Sequence, residues 1–112
     1  MAKRVEEPKG YNGWENYETW AVALWIDNEQ GTYDERCRMV EEARENASED
    51  TNVDSGIWTV EQAARYRLAD TLKEWVTDEL MPDLGASLAA DLLGSALSEV
   101  DWNEIAENFL SE

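Results

Sequence analysis

The chain predicts an all-α fold, a single compact domain of about five helices packed around a central hydrophobic helix, and three observations predict it. Apolar residues recur at i, i+3, i+4 and i+7 through most of the chain, the spacing that places them on one face of a helix. Three stretches read as capping boxes, Thr32 to Glu35, Thr59 to Gln62 and Asp101 to Glu104, each just ahead of such a periodic segment. No stretch alternates apolar and polar residues with the period of two that a half-buried strand requires.

The expected central helix runs from Asn16 to Asn28, NYETWAVALWIDN, where a continuous apolar run from Trp20 to Ile26 stands in an otherwise acidic chain. Tyr17, Trp20, Ala21 and Leu24 share helical spacing, while Val22, Trp25 and Ile26 widen the arc until little surface is left for water. Such a helix is expected to be surrounded, with Trp20, Leu24 and Trp25 in the core. Asn16 is its expected N-cap, Glu18 complements the positive end of its dipole, and Gly31 is its expected stop. Ahead of it, Pro8, Gly10 and Gly13 break any periodicity. Residues 1–13 are therefore expected to form a flexible arm and residues 14–112 one helical domain, with a tight turn at Gly13.

A second helix is expected to open at Thr32 and to turn Tyr33, Cys37, Val40 and Ala43 inward. After a polar loop from Ser48 to Ile57, a third carries Val60, Ala64, Leu68, Leu72, Trp75 and Val76 and ends near Leu80, because Pro82 cannot continue it. Leu84, Leu88, Leu92, Leu93, Ala96 and Leu97 mark a fourth, nearly uncharged helix that is expected to be well buried. Trp102, Ile105, Ala106, Phe109 and Leu110 give a short terminal helix with a full amphipathic stripe.

The exterior is unusual: 26 Asp and Glu against 9 Lys and Arg, with no His, give a formal charge of −17. Such a surface repels nucleic acid and anionic membranes, so the expected partner is a basic nucleic-acid-binding protein, with no direct nucleic-acid or membrane contact. Six Trp, four Tyr and one Phe supply enough apolar bulk that the mean hydropathy of −0.63 reflects a charged shell, not disorder. The single Cys37 cannot form an intramolecular disulfide, and no signal peptide or long apolar span is visible, which favours the reducing cytoplasm.

The stretch Y-N-G-W-E-N-Y-E-T-W from Tyr11 to Trp20, followed by A-L-W-I-D-N and by Gly31 to Tyr33, resembles a family of small uncharacterised proteins from bacteriophages and other mobile elements. The resemblance covers about the first third of the chain. It implies an origin in a mobile element, with the host cytoplasm as the place of action, and it carries over no catalytic residue.

Without His and with one Cys, the usual base and nucleophile pairings are missing, so no enzymatic activity, catalytic residue or cofactor is expected. One metal motif comes close. Asp50, Asn52, Asp54 and Glu61 fall at positions one, three, five and twelve of a calcium loop, with Ile57 at the apolar eighth position. The sharp turn needs Gly at position six, where this chain has Ser55 and places Gly56 one residue late, so no metal site is expected there.

The carboxylates themselves carry the functional expectation. Glu41, Glu45 and Glu49 on the second helix, and Asp70, Glu74 and Asp78 on the third, each stand at i, i+4 and i+8 and draw an acidic ridge. Like charges four apart destabilise a helix by about 0.2–0.5 kcal/mol per pair, so their retention points to a use other than stability. Two readings follow. In one, the protein is a DNA mimic whose carboxylates replace phosphates on a restriction or CRISPR component. In the other, it is an acidic structural or accessory phage protein, or a halophilic domain whose charge serves solubility. A third helix of about 20 residues spans roughly 30 Å, over which duplex DNA carries about 18 phosphates, comparable to the whole-chain charge of −17. A single ridge is too sparse for mimicry, because a step of four residues rises about 6 Å against ~3.4 Å between phosphates of one strand.

Overall fold

The computed structural model describes residues 10–112. Helix α1 spans Tyr17–Asn28, α2 Gln30–Ala47, α3 Thr51–Asp54, α4 Val60–Trp75, α5 Leu88–Ser98 and α6 Trp102–Leu110, and among the described residues there is no strand. The all-α class and the single compact unit are as the periodicity predicts. The part of the expected arm that falls on residues 1–9 lies outside the described residues.

Residues 10–13 hold the expected tight turn at Gly13. Asn12 and Gly13 both take positive φ, 49° and 89°, and make a two-residue turn closed by paired hydrogen bonds between Tyr11 and Trp14 at 2.9 and 2.7 Å. Asn-Gly is the pair that such a left-handed turn favours. The turn lays the Tyr11 ring against Tyr17 and Trp20 of α1, with centroids 5.3 and 4.9 Å apart.

Asn16 caps α1 as expected, its carboxamide oxygen accepting the Thr19 N–H at 2.9 Å. The helix ends at Glu29, which is extended, and α2 starts at once, so the break precedes Gly31. The predicted capping box at Thr32 does not form. The Thr32 hydroxyl instead donates to the carbonyls of Ile26 and Glu29, at 2.7 and 3.1 Å, and so satisfies the orphan end of α1. The box at Thr59 and Gln62 forms completely. At Asp101 only half of it forms: Asp101 accepts from the Glu104 N–H, while the Glu104 carboxylate accepts the Glu15 N–H at 2.9 Å.

The central helix is α4, not the stretch from Tyr17 to Ile26. Leu68 and Leu72 are fully buried in the main core with Val76, Ile105 and Phe109; α4 packs on α2 along one flank and on α6 along the other. Its small residues permit this. Ala63 and Ala64 meet Ala47 of α2 in a second cluster roofed by Val53, Trp58 and Leu110. Helix α1 buries one stripe, Thr19, Ala23 and Ile26, while Trp20 and Leu24 are half-buried and Trp25 is 65% exposed. An apolar run that covers the whole helical wheel does not say which stripe the neighbours will cover, and here they cover the one with the smaller side chains.

Two further expectations are corrected. Helix α5 has no buried residue, and Leu88 and Leu92 are 75% and 63% exposed; only its last turn, through the half-buried Leu97, packs against the main core. The polar loop after α2 contains α3, a single turn capped by Asp50. The third helix does reach Leu80, but its last five residues, Val76–Leu80, form a π turn closed by the Met81 N–H on the Val76 carbonyl at 3.1 Å.

Candidate functional site

Glu41 and Glu45 lie on the solvent face of α2, and Glu49 falls in the turn beyond its end at Ala47. Asp70 and Glu74 lie on the solvent face of α4, opposite Leu68, Leu72 and Trp75. Asp78 is exposed too and sits inside the π turn that follows α4. It borders a hollow with Met81, Leu84 and Leu97. Asp70 borders a different one, a groove of about 540 Å³ that brings it together with Glu15, Glu99, Asp101 and Lys73. Each ridge thus has its first two members on an α-helix and its third beyond that helix's end, Glu49 in a turn and Asp78 in the π turn.

The described cations are mostly spent elsewhere. Arg36 is buried and holds Asp27 at 3.0 Å and Glu112 at 2.5 Å, with its guanidinium 4.2 Å from the Phe109 ring centre. Arg38 pairs with Glu35 and Glu42, Arg44 donates to the Leu110 carbonyl at the end of α6, and Arg65 lies over the Tyr66 ring. Arg67 pairs with Asp50 at 3.0 Å. Among the described residues, Glu41, Glu45, Glu49, Asp70, Glu74 and Asp78 take part in no ion pair.

The calcium-like loop is built around other tasks. One Asp50 oxygen accepts the Asn52 N–H at 2.8 Å and the other takes Arg67, and these contacts, the Asn52 amide first, hold the Asp50 carboxyl below its ordinary range. Glu61 points outward from the first turn of α4. No group of three Asp, Glu, Cys or His is arranged to hold a metal ion among the described residues.

An apolar groove that the spacing of residues does not reveal lies between α1 and the π turn. Ile26 and Val76 form its buried floor, Val22 and Met81 its half-buried walls, and Trp25 and Leu80 its exposed rim, around a hollow of about 330 Å³. The signal for it was present in the sequence: a helix apolar on every side, in a domain this small, leaves part of that surface uncovered.

The aromatic signature residues divide between two tasks. Asn16 and Thr19 tie α1 to the junction of α5 and α6: the Asn16 amide donates to the Glu99 carbonyl at 2.7 Å, and Thr19 accepts the Asp101 N–H at 2.9 Å. Tyr11, Tyr17 and Trp20 form a surface aromatic cluster. Among the described residues no helix is long and apolar enough to cross a membrane. No curated protein and no solved structure matches the chain. The sequence model of one family does match, over residues 7–108, from before the turn at Asn12 to the last turn of α6, and the protein belongs to that family, a family of unknown function (DUF7249).

Proposed function

We propose that the protein is a non-enzymatic inhibitor encoded by a mobile element, a DNA mimic that occupies the nucleic-acid-binding surface of a host restriction or CRISPR protein. The observation that supports this reading is the state of the six ridge carboxylates, all exposed and none ion-paired among the described residues, in a chain of charge −17. Carboxylates held for stability would sit opposite the arginines, as Asp27, Glu35, Glu42 and Asp50 do. Glu41 with Glu45 and Asp70 with Glu74 instead repel each other at four-residue spacing. The groove that adds Glu15, Glu99 and Asp101 to Asp70 supplies the lateral density that a single ridge lacks.

Neutralising Asp70, Glu74 and Asp78 to Asn, Gln and Asn removes three charges and takes −17 to −14. The variant domain should gain a few tenths of a kcal/mol at low salt, from the one like-charge pair that lies within α4. Inhibition of a target nuclease should weaken with each neutralised residue, fall with added salt, and be relieved by duplex DNA. If the charge serves solubility alone, the wild type gains stability toward molar salt and the triple variant inhibits as well as its parent, which would end the mimicry reading.

A further inference from the structure

The geometry points to a second binding surface, separate from the carboxylate ridges: the groove between α1 and the π turn as the docking site for a basic amphipathic helix of a partner protein. Trp25 is 65% exposed on the groove rim, the largest apolar side chain left in water on α1, beside Leu80, Val22 and Met81. Exposed Trp beside a buried apolar floor is the arrangement that anchors interfaces. The hollow, about 330 Å³, lies at the small end of the range for binding pockets and is open along one side. The wall that α1 gives the groove runs from Ala21 to Glu29, about 12 Å at 1.5 Å per residue, which matches the span of the i, i+3, i+4 and i+7 anchors of a second helix. Met81 lines both this groove and the neighbouring hollow beside Leu84 and Leu97, so the apolar path continues past the rim. The flexible Met side chain suits such a surface.

Charge decides the occupant. The segments that build the groove and its surroundings, residues 14–35 and 74–112, contain no Lys and no Arg. Glu29 lines the hollow itself, and Glu79 is exposed on the π turn that forms one wall. A second copy of the chain would bring another charge of −17 to this face, and its own groove segments have no cation to offer. A helix with apolar residues on one face and Lys or Arg on the other meets both halves of the surface: the apolar face fills the hollow and the cations reach the rim carboxylates. This inference stands apart from the mimicry reading, since none of the six ridge carboxylates lines the groove.

Calorimetric titration with a synthetic amphipathic helix, Leu at i, i+3, i+4 and i+7 and Lys on the other face, tests it against the same helix with Glu in place of Lys. The Lys peptide should bind one per chain. Trp25→Ala and Leu80→Gln, both at exposed positions, should keep the parental melting temperature and weaken binding about tenfold or more. Neutralising Glu41, Glu45 and Glu49 to Gln should leave peptide affinity within about twofold of the parent, since a well-removed charge contributes only a screened field. The proposal fails if the Glu peptide binds equally well, if neither peptide binds, or if Trp25→Ala binds like the parent. It also fails if the parent sediments as a dimer that Trp25→Ala dissolves, which would make a second copy the occupant.

Discussion

Thr19 of α1 accepts the backbone N–H of Asp101, 82 residues further along the chain, at 2.9 Å, while its own hydroxyl proton goes to the Asn16 carboxamide at 2.6 Å. The residue is fully buried, so neither contact can be replaced by water. Thr19→Val keeps the shape and removes the hydroxyl, leaving the Asp101 N–H without its acceptor. It should cost about 1–3 kcal/mol in urea unfolding, and Thr19→Ser should recover most of that loss. A Val variant with an unchanged midpoint would show that this latch contributes nothing to holding α1 against the start of α6.

Phe109 and Trp25 should answer truncation in opposite ways. Phe109 sits in the main core under the Arg36 guanidinium, so Phe109→Ala should cost about 3–5 kcal/mol, a large share of the stability of a marginal domain. Trp25→Ala removes a larger side chain from an exposed site and should change stability by no more than about 0.5 kcal/mol. Thermal melts of the two variants check both.

Acid should unmask the role of Asp50. Its folded carboxyl titrates below the ordinary value of 3.8, because the Asn52 amide and Arg67 favour the charged form. Its stabilising contribution is therefore fully present above about pH 4, and it is lost as pH falls through the lower folded value. The gap in melting temperature between wild type and Asp50→Asn should be constant near neutrality and close on acidification. A gap that persists undiminished in acid would assign it to packing. General protonation of the acidic surface affects both proteins alike and drops out of the comparison.

Helix α5 should be the least protected helix of more than one turn in hydrogen exchange. None of its residues is buried, and eleven residues alone are too few to hold a stable helix in water. The amides of Leu92 to Leu97 should exchange well ahead of those of Leu68 to Leu72 in α4. Equal protection would mean that α5 is covered in solution.

Helix ends were legible in the residues wherever the cap is local. Asn16, Thr59 and Asp101 each act through the backbone amide three positions on, so spacing alone announces them. Thr32 departs from its local signature because its hydroxyl bonds backward across the break to Ile26, a contact that exists only once α1 and α2 have met. The six ridge carboxylates were legible as exposed, since charge seeks water. The end of α2 at Ala47, short of Glu49, and the π turn around Asp78 were not, because neither leaves a mark on the spacing of the carboxylates.

By itself the sequence determined the helical class, the acidic exterior, most caps and the stop before Pro82, all of which follow from interactions within a few residues. Only the tertiary structure decided which helix is central, that α5 buries none of its residues fully, and that Trp25 and Leu80 frame an open groove. Hydrophobicity has no direction: it states that Trp25, Leu92 and Leu72 each favour burial, but a domain this small can cover only part of its apolar surface. The small side chains at Ala47, Ala63 and Ala64 let α2 close on α4, and that close approach, not the apolar content of α1, determines where the core lies.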